Sequence, residues 1–224
     1  MELIEYPDAE MMMIDLANTL AGELRNCLVQ HEHASFAVPG GTTPGPIFDS
    51  LCDAAGIDWA RVHVLLTDER WVPETSDRSN TKLIKERLLT GAAAAATYVP
   101  LYGGTETPEG SLDDLAKSLE PELPISVMLL GMGADMHTAS IFPGADQLDA
   151  ALTGDAPLVA MRAPGAPEPR ITLSAKVLKG AMSRHIVIVG DEKREALEKA
   201  RKLSPAEAPV AAVLPGSVVH WARG

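Results

Sequence analysis

A chain of 224 residues can bury the core of one α/β domain, and a 46% hydrophobic share excludes intrinsic disorder. With 19 basic against 31 acidic residues the net charge is −12, which argues against nucleic acid or an anionic membrane surface as a partner. No apolar run approaches the roughly 18 residues needed to cross a bilayer.

The first ten residues lack a basic stretch followed by an apolar one, so no secretory leader is expected. Residues 8–30 carry apolar side chains at Met12, Met13, Leu16, Leu20, Leu24, Cys27 and Leu28, the period of a helix with one buried stripe. Residues 35–38 read as a short strand closed by Pro39-Gly40-Gly41. A helix is then expected from about Thr43-Pro44 to Ala55, with Thr43 as its N-cap and Pro44 in its first turn. The next strand is 62–66; it runs into a polar loop over 67–80, and 81–89 reads as helix. Strand is expected at 97–101, helix at 111–119 and strand again at 127–130, with the alanine run 92–96 as a surface helix end. Shorter strands at 158–161 and 171–173 precede a helix at 175–182, a buried strand at 185–189, a helix at 192–203 and a last strand at 218–221.

Strands apolar on both faces, alternating with helices, predict an α/β fold: a mostly parallel sheet covered on both sides, in three α/β/α layers. One domain over residues 1–224 accounts for the whole pattern. Ligands of such sheets sit beyond the carboxyl ends of the strands. The polar clusters 39–44, 67–80, 131–144 and 190–193 each follow a predicted strand, so topology alone brings them to one rim. Cys27 and Cys52 fall in apolar helical patterns and read as small core residues of a reducing compartment, which points to a cytoplasmic protein. His31-x-His33 has no partners in sequence and reads as part of a surface turn; no spacing suggests a metal site.

The most informative stretch is Leu129-Leu-Gly-Met-Gly-Ala-Asp-Met-His-Thr-Ala-Ser-Ile-Phe-Pro-Gly144. Glycines end a buried strand, and Asp135 and His137 follow at once, the makeup of a tunable acid–base pair. Gly40-Gly41-Thr42-Thr43 is a strand-to-helix turn: either a plain capped helix start or a cradle of free amides and hydroxyls for a phosphate. It lacks the third glycine of a dinucleotide fingerprint and the Gly-Lys-Ser/Thr of a P-loop. Asp68-Glu69-Arg70 reads either as surface ion pairs or as a site in which Asp68 meets sugar hydroxyls or a water and Arg70 holds an anion. Arg170 and Lys193 are solvated charges or further phosphate contacts. In a chain this acidic, any anionic substrate requires its cations to be gathered locally.

Gly-Gly-Thr-Thr-Pro, Asp-Glu-Arg-x-Val-Pro with Ser79-Asn80, the His137 segment, Arg-Ile-Thr-Leu-Ser and Gly-x-x-Lys occur here in that order. Over about residues 36–221 the chain closely resembles the 6-phosphogluconolactonase family, which shares a fold with glucosamine-6-phosphate deaminases, ribose-5-phosphate isomerases and CoA transferases. The resemblance implies hydrolysis of 6-phospho-D-glucono-1,5-lactone to 6-phosphogluconate, the second step of the oxidative pentose phosphate pathway; the lactone carbonyl is already electrophilic, so no cofactor or metal is expected. It implies phosphate contacts from Gly40, Gly41, Thr42, Thr43, Arg170 and Lys193, to which Arg70 adds a guanidinium able to hold an anion. By the same resemblance Asp68 faces the sugar, and His137 is the acid–base residue with Asp135 beside it. Backbone amides of 131–133 are one choice for holding the oxyanion. A small-molecule sugar phosphate is thus the expected partner, with the chain a monomer or homodimer.

Two positions depart from the family pattern: Met136 stands where glycine is usual and Pro39 where serine is common. A methionine in the left-handed region costs about 1–2 kcal/mol, so the expectation is an ordinary backbone at 136 and a side chain that trims or covers the pocket. Two rival functions remain. Amino-sugar-phosphate deaminases of the superfamily tend to follow the histidine with Asn-Glu-Pro, where this chain has Ile141-Phe142-Pro143 without a glutamate. A non-catalytic sugar-phosphate sensor would have no need to keep His137, Asp135 and Asp68 together, and no basic DNA-binding segment is visible.

Overall fold

The computed structural model describes residues 1–224. Its elements in chain order are β1 (Glu2–Tyr6), α1 (Ala9–Gln30), β2 (Ala34–Val38), α2 (Gly45–Leu51), β3 (Val62–Leu66), β4 (Asp68–Arg70), α3 (Asn80–Arg87), β5 (Thr97–Val99), α4 (Leu112–Leu119), β6 (Val127–Gly131), α5 (Leu148–Thr153), β7 (Leu158–Met161), β8 (Arg170–Leu173), α6 (Ala175–Gly180), β9 (Ser183–Val189), α7 (Asp191–Ala200) and β10 (Val218–Ala222). Seven strands form one parallel sheet in the order β1-β10-β9-β6-β2-β3-β5, flanked by helices in the expected α/β/α manner.

The central strands are buried along their length, as continuous apolar runs require; β2 has no exposed residue. Asp8 starts α1 by accepting the Met11 N–H at 2.8 Å, and the helix buries Met12, Met13, Leu16, Leu20, Leu24 and Leu28. These side chains join one hydrophobic cluster of 59 buried residues. Cys52 lies in that cluster and Cys27 packs against it, both as free thiols.

Chain order within the sheet decides where a ligand can go. From β2 the chain steps outward to β3 and β5, and from β6 it steps the opposite way to β9 and β10. β2 and β6 are neighbours, so the loops leaving their carboxyl ends diverge and open a crevice between them. Those loops are the glycine-threonine turn and the His137 segment.

Several expectations change. β1 was not foreseen; it is an edge strand bearing two exposed glutamates and so lacks an apolar signature. Residues 68–70 are strand rather than loop: β4 pairs antiparallel with β8, and β8 with β7, in a separate three-stranded sheet. Pairing with β8, not intrinsic preference, makes a strand of Asp-Glu-Arg. α2 is shorter than expected, and Pro44 occupies its N-cap with no side-chain cap, so Thr43 is not the cap. The alanine run forms a 3-10 turn, Gly91–Ala95.

Candidate active site

All four polar clusters meet in one cleft of about 270 Å³, toward the low end for small-molecule sites. Gly40 to Thr43 line one side, Asp68 and Arg70 with Asn80 and Arg170 a second, Gly131, Gly133 and His137 a third, and Lys193 at the start of α7 completes it.

The His137 segment turns on two backbone bonds, from Met136 N–H to Gly133 O at 2.9 Å and from Gly133 N–H to His137 O at 3.0 Å. The turn brings His137 Nδ1 to 2.5 Å from Asp135 Oδ1. A carboxylate only accepts, so Nδ1 carries the proton and neutral His137 keeps its lone pair on Nε2. Burial pushes the Asp135 carboxyl up, but the hydrogen bond and charge of His137 outweigh it and hold it below the usual range. Gly133 makes room for the pair: a Cβ there would lie 2.2 Å from Nδ1 and 2.5 Å from Asp135 Oδ1. Phe142 backs the imidazole at 4.4 Å between ring centroids.

Asp68 is buried and accepts from Ser140 Oγ at 2.6 Å and Thr67 Oγ1 at 3.1 Å. Arg70 and Arg170 are directly opposite each other in the β4–β8 register, which puts two guanidinium groups on one face. The Nε of each is buried with no hydrogen-bond partner. Burial pushes the Arg170 guanidinium below its ordinary value, while the Asp68 carboxylate pulls the other way. Glu168 approaches Arg170 at 3.7 Å and ion-pairs with Arg78, which with partial burial opposing leaves its carboxyl at about 2. Arg170 is buried and Arg70 half-buried, with Arg70 Nη1 donating to Arg78 O at 2.7 Å. Apposed cations whose Nε groups remain unpaired are costly in isolation and suit an anion held between them.

Residues 7–221 match the family model described as glucosamine-6-phosphate isomerases/6-phosphogluconolactonase. The chain is 38% identical to a 6-phosphogluconolactonase of Rhizobium meliloti, covering 99% of this chain and 98% of that one. A 6-phosphogluconolactonase of Mesorhizobium japonicum is 39% identical, over 97% of this chain and 93% of its own. Among solved structures, a 6-phosphogluconolactonase from Shewanella baltica superposes with a TM-score of 0.95 at 33% identity, covering 99% and 97% of the two chains. The chain belongs to the glucosamine-6-phosphate isomerase/6-phosphogluconolactonase family.

Within this family frame, the structure gathers every residue singled out from sequence: Asp135 through its bond to His137, the others in the cleft wall. Two readings need correction. Met136 is left-handed, at φ 66°, and its side chain packs against the core without lining the cleft. Its carbonyl accepts the Val210 N–H at 3.0 Å, so a distant segment holds the strained residue. His33 has partners after all: with His63 and Glu122 it forms a cluster whose ligand atoms lie within 4.8 Å of one another, outside the cleft.

Sequence reading also missed contributors. Glu69 is no surface ion pair; it is fully buried and accepts from the N–H groups of Arg70, Asn80 and Thr81 at 2.7–2.8 Å and from Thr81 Oγ1 at 2.7 Å. It thereby folds loop 71–79 back and delivers Asn80, whose side chain donates to Asp68 O at 3.0 Å and stands where a Cβ on Gly40 would be. Burial pushes the Glu69 carboxyl up against these donors. Its only sequence signal was an acid ahead of a Ser-Asn-Thr helix start. Phe142 gave none; it touches His137 on one side and has the Arg170 guanidinium 5.5 Å from its ring centroid.

Proposed function

We propose that the chain hydrolyses 6-phospho-D-glucono-1,5-lactone to 6-phospho-D-gluconate, with His137 as the acid–base group. One observation carries the reading: a single cleft sets an Asp135-oriented imidazole against two apposed arginines whose Nε donors are unused. The arginines, Lys193 and the amides and hydroxyls of residues 40–43 suit the substrate phosphate, which fixes the lactone by an anchor remote from the reacting carbonyl. Asp68, held by Ser140 and Thr67, faces the sugar. Nε2 of His137 takes a proton from the attacking water and returns it to the leaving ring oxygen. Asp135 fixes the tautomer and stabilises the transient imidazolium. Of the amides of 131–133 expected to hold the developing oxyanion, that of Gly133 already donates to His137 O at 3.0 Å. An ester carbonyl is electrophilic enough to need no cofactor.

The test is acid release from freshly generated 6-phosphogluconolactone, followed above the spontaneous rate. Acceleration is expected with this substrate and no turnover with glucosamine 6-phosphate or ribose 5-phosphate. Turnover of glucosamine 6-phosphate without lactone hydrolysis would replace the reading with the deaminase one.

A further inference from the structure

At the opposite rim of the parallel sheet, where the strands begin, three neighbouring segments bring together a second set of chemical groups. His33 lies just ahead of β2, His63 is the second residue of β3, and Glu122 ends a 3-10 turn, Glu120–Glu122, ahead of β6. His63 Nδ1 stands 2.9 Å from Glu122 Oε1, and His33 Nε2 stands 3.5 Å from Oε2. The two imidazoles are stacked, with centroids 4.4 Å apart. Glu122 is only 5% exposed, and its Oε2 accepts no hydrogen bond. Its backbone is pinned, because Ser35 Oγ donates to Glu122 O at 2.9 Å. A buried carboxylate with an oxygen lacking a donor is costly, and here that oxygen is aimed at an imidazole nitrogen which it does not bond.

We propose that His33, His63 and Glu122 form a binding site for a divalent transition metal, zinc being the natural occupant. Two imidazoles and one carboxylate are a zinc donor set, with a fourth position left to water. Zinc bonds of 2.0–2.1 Å place tetrahedral ligand atoms about 3.3 Å apart. The distances of 2.9 and 3.5 Å already bracket that value. The stacked rings must tilt toward a common point, and His33 can do so because it sits outside any element and is 37% exposed. Magnesium and calcium prefer all-oxygen shells and do not fit this set. The metal would tie the starts of β2, β3 and β6, three adjacent strands. It lies about 16 Å from the cleft, the length of a five-residue strand, so its role is in holding the sheet and not in the lactone chemistry.

The experiment takes the full chain, stripped with EDTA, and titrates zinc calorimetrically while melting curves are recorded. One site per chain is expected. Free zinc a hundredfold above Kd should raise Tm by about 5–10 °C, and magnesium at the same concentration should not. His33→Ala removes a half-exposed ligand with little risk to the fold, and Glu122→Gln keeps volume while removing the charge; both should abolish the site and the Tm shift. Lactone turnover should be the same in stripped and loaded protein, which separates failure here from failure of the assigned reaction. Zinc binding that survives in both variants, or a wild-type protein whose Tm ignores zinc, overturns the proposal.

Discussion

Gly133→Ala tests the geometry of the acid–base pair more sharply than removing either partner. Gly133 is not at positive φ, so alanine introduces no backbone strain and the effect reduces to one methyl group. That methyl would stand 2.2 Å from His137 Nδ1, 2.3 Å from Cε1 and 2.5 Å from Asp135 Oδ1, where ordinary contact begins near 3.4 Å. The imidazole or the carboxylate must therefore retreat by about 1 Å, a displacement that costs on the order of 10²-fold in a reaction that depends on positioning. Phe142, 4.4 Å behind the ring, blocks the simplest retreat. The expected result is kcat lowered about 10²-fold, or some 2.7 kcal/mol in the barrier, with KM little changed because the arginines are untouched. Stopped-flow acid release with a pH indicator measures both constants, and circular dichroism checks the fold. In a His137→Ala background the same substitution should add almost nothing. A folded Gly133→Ala enzyme within threefold of normal kcat would refute the reasoning.

His137→Ala alone should lower kcat by roughly 10²–10⁴ while leaving the fold intact; near-normal turnover would shift the role of base to Asp68. Arg170→Ala and Lys193→Ala should raise KM by roughly 10- to 100-fold, the range for charged hydrogen bonds, with smaller losses in kcat. Unchanged KM at low salt in both would dismiss the phosphate assignment. His220 is buried in a chain of contacts running Tyr6–His220–His185–Glu23, and burial first, then the neighbouring His185, lowers its pKa from 6.5 to about 4. Below 6.5 the unfolded chain binds a proton that the native His220 refuses, so this residue should destabilise the fold progressively as pH falls to 4. Between pH 7 and 5 the loss should be about 2 kcal/mol, read as the difference between urea melts of wild type and His220→Gln. An imidazole resonance of His220 that titrates near 6.5 would contradict it.

Periodicity revealed α1 and the strands β2, β3, β6, β9 and β10, because each buries a continuous stripe or both faces, and burial is what writes hydrophobic pattern into sequence. β1 and β4 left no such mark: Glu2-Leu3-Ile4-Glu5-Tyr6 is a sheet edge, and Asp-Glu-Arg is strand only because β8 lies beside it. Most cleft residues were legible because their clusters follow strand ends, and topology turns that local fact into a shared location; Arg170, the first residue of β8, arrives there instead through its pairing with Arg70. The His33 cluster was not, since its members belong to three segments whose adjacency follows from the order β6-β2-β3. Met136 misled for a related reason. Its left-handed backbone is held by the Val210 N–H, a partner that no local reading of residues 131–144 could supply.

The pairing of β1 with β10 joins Glu2 to Val218 and Tyr6 to Ala222, two strands far apart in sequence that lie side by side and point the same way. β1 thus precedes its partner by 216 residues, so its amides have no ladder to join until everything between the two strands has been synthesised. Such a pairing closes a loop of 216 residues between Glu2 and Val218, the slowest class of contact to form. In amide exchange under native conditions β1 should therefore behave as a hem: stitched last, and the first seam to open.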